Sequence, residues 1–286
     1  MIPAPFEYLR AASVDEAINL LQQHGPEARV LAGGHSLLPS MKLRLDRPAK
    51  VIDISRLSEL NYIRKDGDVL AIGALTTHAD IAASAEVQAG APALAEAAGV
   101  IGDVQVRNMG TIGGSLAHAD PAADYPAALL AHEAQIVVKG PGGERTIEAA
   151  DFFQGLFTTA LQEGELIVEV RVPAIGSGTG TCYLKFHQPA SRFALCGCAA
   201  VVTKSGNNAG QVRVAFTGIA DSAFRDSGVE DALTGQPLDE AHISAAAEKA
   251  AEGKDLMSDH WASEEYRRHL ARVYARKALT EAANRA

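Results

Sequence analysis

Two glycine pairs, each flanked by hydroxyl side chains, constrain this chain more than any other feature. The first lies in Leu31-Ala32-Gly33-Gly34-His35-Ser36-Leu37-Leu38-Pro39, the second in Thr111-Ile112-Gly113-Gly114-Ser115. Without a Cβ in the way, backbone N–H groups in such loops can come close to an anion. The first loop is entered from a short strand, Arg29 to Ala32, and Ser36-Leu37-Leu38 can open a helical turn, which favours a phosphate there. Neither loop fits G-x-G-x-x-G or the Walker pattern, which disfavours a Rossmann or P-loop fold. A dinucleotide whose pyrophosphate bridges the two loops is compatible with both.

At 286 residues the chain predicts two domains. Ser13 with Glu16 forms a capping box, Val14, Ala17, Ile18 and Leu21 make one apolar helix face, and Gly25 stops the helix. A strand over 51–54 completes a small α/β unit in the first 55 residues. A strand over 69–75 follows the Asp66-Gly67 turn, residues 91–100 form an Ala-rich helix, and residues 103–125 are polar and Gly-punctuated. Strands over 134–139 and 144–147 flank Gly140-Pro141-Gly142-Gly143 as a hairpin, and a strand over 166–172 ends at Pro173. Gly176-Ser177-Gly178-Thr179-Gly180 marks the domain boundary, which gives units 1–175 (subdomains 1–55 and 56–175) and 176–286. Beyond it, three strands (181–187, 193–203 and 212–219) precede helices over 223–234, 239–252 and 262–284, an α+β pattern.

A net charge of −9 argues against nucleic acid or an anionic membrane as partner, and no apolar run is long enough to span a bilayer. The N-terminus lacks the basic and apolar regions of a signal peptide, so a cytoplasmic location is expected. Cys182, Cys196 and Cys198 form no disulfide framework. Cys196-Gly197-Cys198 places two small residues on one strand face, and the chain has too few thiols for a cluster of its own. His35 and His118 have no nucleophile motif or third ligand beside them, so neither a catalytic residue nor a metal site is expected. Lys185 sits mid-strand, either on a solvent face or near a bound anion. Asp124, just before Pro126, is either a helix N-cap or an acceptor for ribose or adenine.

Together, Ala32-Gly33-Gly34-His35-Ser36 and Thr111-Ile112-Gly113-Gly114 resemble the double flavin signature of the molybdenum hydroxylase FAD-binding medium subunits, above all those of the carbon monoxide dehydrogenase type. Gln105-Val106-Arg107-Asn108, Met41-Lys42-Leu43-Arg44 and Val51-Ile52-Asp53-Ile54 fit the same pattern, which covers essentially the whole chain. This resemblance implies a PCMH (vanillyl-alcohol-oxidase) type FAD domain of two α/β subdomains, followed by a C-terminal domain with a three-stranded antiparallel sheet and helices. It implies that residues 31–38 wrap the pyrophosphate and 111–115 form a second cradle. Ile101 would lie near the flavin, Asp124 on the adenosine side, Ile167 and Lys185 would touch FAD, and Phe193 would cover the isoalloxazine. FAD would be held without a covalent link to His35. Molybdenum–pterin and two [2Fe–2S] clusters would sit on a large and a small partner subunit, in a dimer of heterotrimers. Electrons would pass from them through FAD to an external acceptor. Gln188 and Arg192 depart from the pattern of close relatives, which carry a basic residue and Asp there.

A bulky residue at Gly33 or Gly114 is then expected to abolish FAD retention without unfolding the chain. The holoenzyme alternatives are hydroxylases of N-heterocycles, aldehydes or aryl-CoA. Two other classes stay open: a flavin-free scaffold or maturation protein, disfavoured by two intact loops, and a stand-alone flavin oxidase.

Overall fold

The computed structural model describes all 286 residues. Three larger sheets follow one another along the chain, and a two-stranded ribbon, Phe153–Gly155 and Thr158–Thr159, accompanies them. The first is a parallel sheet of Glu7–Arg10, Lys50–Asp53 and Ala28–Leu31, with Lys50–Asp53 in the middle. Helix Val14–His24 begins at the expected Ser13 cap, although the return bond of the capping box reaches Ala12, one residue before the cap. Ser13 Oγ accepts from the Glu16 N–H at 3.1 Å, and the Glu16 carboxylate accepts from the Ala12 N–H at 2.7 Å. Gly25 closes it with an N–H donated to the Leu21 carbonyl.

The second sheet has five strands in the order Ile63–Asp66, Val69–Gly73, Leu166–Pro173, Gln135–Gly140, Gly143–Glu148, every pair antiparallel. Its two faces feed different cores. Ile136 and Val138 join a large cluster under helices Pro92–Gly99 and Tyr125–Ala131. Val137 and Val168 face the first unit, beside Ile18 and Ile52. The register slips between Ile167 and Glu169, a bulge beside what becomes the site.

The third sheet runs Thr179–His187, Ala194–Ser205, Asn208–Thr217, Phe224–Arg225. It therefore has four strands where three were expected. Phe224 and Arg225 pair with Phe216 and Ala215, and they occupy the start of the expected helix over 223–234. That helix begins only at Ser227, because the Asp226 carboxylate caps the Val229 N–H at 3.3 Å. The same carboxylate captures the Ala251 N–H at 2.7 Å, and the next helix, Glu240–Ala247, stops short of the expected 252. Helix Glu264–Arg285 covers the sheet's outer face.

Strand Ala194–Ser205 is buried on both sides. Tyr183, Ala199, Val201 and Ala215 point into the core shared with the second unit. Cys182, Cys196, Cys198, Ala200 and Phe216 point into the core under the C-terminal helices. Burial pushes the Cys196 and Cys198 thiols well up, so they behave as small apolar groups. The Gly-rich stretch after Pro173 thus links the second and third sheets, with Thr179 and Gly180 already in strand Thr179–His187, while the core runs across it.

Helix Tyr125–Ala131 lies in that shared core and ends at His132, which is 3% exposed. Burial, with Arg213 nearby, pulls the His132 pKa down from 6.5 to about 4. A folded pKa below the unfolded one gives stability that is complete above pH 6.5 and is lost as pH falls towards 4. Through this group the protein should lose roughly 2 kcal/mol between pH 7 and pH 5. Denaturant midpoints of the wild type and His132→Gln at the two pH values measure it, and an identical pH dependence in both would rule the contribution out.

Candidate functional site

A cavity of about 740 Å³ opens where the three units meet. One wall is the first glycine loop. Strand Ala28–Leu31 ends its pairing there, with the Leu31 carbonyl accepting from Ile54 N–H at 2.9 Å. The chain then turns through Gly33 and Gly34 into helix Leu37–Leu43, where Leu38 N–H reaches the Gly34 carbonyl at 3.0 Å. The backbone N–H groups of Gly33, Gly34, His35 and Ser36 have no acceptor within the protein. Four consecutive donors left unpaired in the lining of a cavity are what an anionic ligand requires.

The second loop is built differently. Gly113 N–H donates to the Ala74 carbonyl at 2.9 Å, Ile112 N–H to Thr76 at 3.1 Å and Ser115 N–H to Thr111 at 3.0 Å. Thr111 caps helix Ile112–His118 by accepting from the Gly114 N–H at 3.2 Å. Its donors are largely spent, so it supplies shape more than charge. The two loops touch directly, since a Cβ on Gly33 would fall on the Met109 carbonyl and lie 2.9 Å from the Gly110 Cα. Gly33 thus serves loop-to-loop approach, which is not the reason inferred from the sequence. Gly114 faces open space except for Thr111 Oγ1 at 3.0 Å and Ala32 Cβ at 4.0 Å from its would-be Cβ.

Fourteen of the residues expected at the site line the cavity: Ala32, Gly33, Gly34, His35, Ser36 and Leu37, then Thr111, Gly113, Gly114 and Ser115, with Ile101, Asp124, Ile167 and Phe193. The side chains of four others lie elsewhere. Leu31 and Leu38 pack over Gly34, Ile112 is buried in the core, and Lys185 stands behind Asp124. Residues the sequence did not single out also line it, among them Arg29, Asp46, His78 and Phe157. His78 is buried with Nδ1 2.9 Å from the Tyr125 hydroxyl, and burial lowers its pKa to about 4. No local pattern marks it, because its position follows from how the second loop is seated. His118 lies against Phe157, with ring centroids 5.1 Å apart.

Of the two sequence readings of Asp124, the structure overturns the helix cap. Asp124 stands at the start of helix Tyr125–Ala131 but makes no capping bond. Its Oδ1 accepts from the Tyr183 hydroxyl at 2.6 Å and its Oδ2 from Lys185 Nζ at 2.9 Å. Lys185 also donates to the Val100 carbonyl at 2.9 Å. Both charged side chains are almost fully buried, so Lys185 is not on a solvent face. Burial outweighs the Lys185 ammonium and the Tyr183 hydroxyl and pushes the Asp124 carboxyl up to about 6. Through Lys185 the network ties Asp124 to the Val100 carbonyl, next to Ile101.

That loop contains both departures from the relatives' pattern. Gln188 is buried, and its side-chain oxygen accepts from the Ser191 N–H. Arg192 adopts φ 62° and donates to the Gly102 carbonyl at 3.3 Å. The loop thus closes on itself and reaches across to the first domain, leaving Phe193 half exposed beside the cavity.

Two family models account for the chain: the FAD-binding domain in molybdopterin dehydrogenase over residues 4–175, and the carbon monoxide dehydrogenase flavoprotein C-terminal domain over residues 181–282. The chain belongs to the family of FAD-binding subunits of molybdenum hydroxylases. It is 45% identical over 282 residues to the carbon monoxide dehydrogenase medium chain of Hydrogenophaga pseudoflava, covering 99% of this chain and 98% of that one. It is 39% identical to the glyceraldehyde dehydrogenase medium chain of Sulfolobus acidocaldarius, covering 99% of this chain and all of the relative. The solved carbon monoxide dehydrogenase of H. pseudoflava superposes with a TM-score of 0.96, over 100% of this chain and 99% of that one.

The residues present fit FAD. The cavity falls in the ~300–1,000 Å³ range of cofactor sites, and the first loop offers unpaired donors of the kind a pyrophosphate takes.

Proposed function

We propose that this chain holds FAD non-covalently in the cavity and serves as the electron-transferring medium subunit of a carbon monoxide dehydrogenase-type molybdenum hydroxylase in the cytoplasm. The observation that carries the assignment is the run of unpaired N–H groups from Gly33 to Ser36 in the lining of the cavity. These donors would hold the pyrophosphate, and Thr111, Gly114 and Ser115 would bound it from the other side. Phe193, Ile101 and Ile167 would supply apolar contact for the ring system, and Asp124, fixed by Lys185 and Tyr183, a carboxyl beside it. FAD in this position supplies exchange of electrons between one-electron clusters and an external acceptor such as a quinone or NAD⁺. The chain's residues bind and orient the cofactor; none needs to act as an acid, base or nucleophile.

The partners would be a large subunit carrying molybdenum–pterin and a small subunit with two [2Fe–2S] clusters. Carbon monoxide is favoured as the large subunit's substrate by the 45% identity to a carbon monoxide dehydrogenase medium chain. The glyceraldehyde dehydrogenase relative at 39% makes an aldehyde the second reading. The test is acid precipitation of the purified multi-subunit complex. All FAD should appear in the supernatant, about one per copy of this chain. Flavin retained in the pellet would indicate a covalent link and point to His35; a flavin-free complex would point to a scaffold.

A further inference from the structure

The wall of the cavity between the second loop and helix Tyr125–Ala131 is the segment Asp120–Asp124, and the hydrogen bonds it makes within its own domain are internal to it. Within the segment, Asp120 Oδ1 accepts from the Ala122 N–H at 2.8 Å and the Asp120 carbonyl from the Ala123 N–H at 2.9 Å. Its remaining carbonyls are taken by the C-terminal domain. Gly218 N–H donates to the Pro121 carbonyl at 2.8 Å and Ala194 N–H to the Ala122 carbonyl at 3.3 Å. The Thr217 hydroxyl lies 2.9 Å from the Pro121 carbonyl and 2.7 Å from the Ala123 carbonyl, and Thr217 is 1% exposed. The Tyr183 hydroxyl holds the Asp124 carboxylate at 2.6 Å. Asp120, Ala123 and Asp124 line the cavity; Thr217 and Tyr183 do not.

Strand register explains how two hydroxyls from different strands converge. Gly197 on the central strand pairs with Lys185 on one side and Thr217 on the other. A Cβ at Gly197 would fall on the Tyr183 hydroxyl and lie 2.7 Å from Thr217 Cγ2. The sheet leaves out one side chain so that these two side chains can cross it. Behind them, Arg267 reaches from helix Glu264–Arg285 to the carbonyls of Leu195 and Gly218, with the Leu195 contact at 3.0 Å. Leu195 follows the donor Ala194, and Gly218 is itself the other backbone donor of this strut to the segment.

We infer that Thr217 and Tyr183 are positioning residues: through their hydroxyls the C-terminal domain sets the wall of the flavin cavity that carries Asp124. The inference rests on the assignment of FAD to the cavity. Thr217→Val keeps the shape of the side chain and removes the donor, leaving the buried Ala123 carbonyl without a partner. Thr217→Ser keeps the donor.

The measurement is the rate of FAD release from the assembled complex, read by the fluorescence of free FAD, together with the flavin midpoint potential. Thr217→Val should release FAD about tenfold faster, equivalent to about 1.4 kcal/mol of weaker binding by the loosened wall, with a shifted potential. Thr217→Ser should stay close to the wild type in both. Release and potential unchanged in Thr217→Val, or equally impaired in Val and Ser, overturns the inference. If Thr217→Val does not assemble, Tyr183→Phe decides: faster release supports it and wild-type release refutes it. A wild-type complex that contains no FAD sinks the cavity assignment itself. A wild type that holds FAD beside an unchanged Thr217→Val sinks only the strut.

Discussion

Gly114→Leu should yield a folded subunit that assembles with its partners and carries no FAD, whereas Gly33→Ala should lose flavin and stability together. The difference lies in what each missing Cβ leaves room for. At Gly33 the space is filled by backbone of the Met109–Gly110 turn, which cannot rotate away as a side chain end can. Forcing a methyl into it separates the two loops, with an overpacking cost of about 1–3 kcal/mol. At Gly114 only Thr111 Oγ1 must give by a few tenths of an ångström, and the added side chain enters the gap between the loops. Gly114 is interior to helix Ile112–His118, where replacing Gly by Leu gains up to about 1 kcal/mol of helix propensity. FAD-to-protein ratio and thermal midpoint of each purified complex check both expectations. A Gly114→Leu complex with a full complement of FAD would remove the second loop from the site.

Lys185→Met should be the most destabilising single change near the cavity. It leaves the Asp124 carboxylate buried with only the Tyr183 hydroxyl for support, and breaking a buried pair in this way costs about 3–5 kcal/mol. The loss should depend on pH with a definite sign. Asp124 already has its pKa raised to about 6 with the ammonium in place, and without it the carboxyl rises further. A carboxyl with a raised folded pKa gains stability as pH falls through that value and loses it as pH rises. Lys185→Met should therefore be less damaging at pH 5 than at pH 8. The double variant Lys185→Met with Asp124→Leu should recover part of the stability, while still lacking the carboxyl in the cavity wall. Denaturant midpoints at the two pH values, and flavin content at pH 8, give the result. A loss independent of pH would mean that the pair is not ionised as assigned.

The sequence by itself determined many of the elements and where most of the residues that line the cavity lie along the chain. The Ser13–Glu16 box, the Gly25 stop, the hairpin around Pro141 and the alternation before Pro173 are local signals, carried by propensity and hydrogen bonds within a few residues. The two glycine loops stood out because Gly33-Gly34 and Gly113-Gly114 both have Ser or Thr close by in sequence, and both line the cavity. Tertiary structure decided what each of those residues is for. Gly33 makes room for the Met109 carbonyl, and the second loop spends its donors on Ala74 and Thr76. Asp124 read as a helix cap, yet its carboxylate is held by Tyr183 and Lys185, some sixty residues away in sequence. His78, Thr217 and Gly197 carried no visible signal, since each owes its role to a partner that only sheet register and loop seating bring near. Even Phe224–Arg225 became a strand because Asp226 delayed the helix behind it. Local free energies fix which segments form; which side chains meet is settled by long-range burial, where one apolar run such as Ala194–Ser205 must satisfy two cores at once.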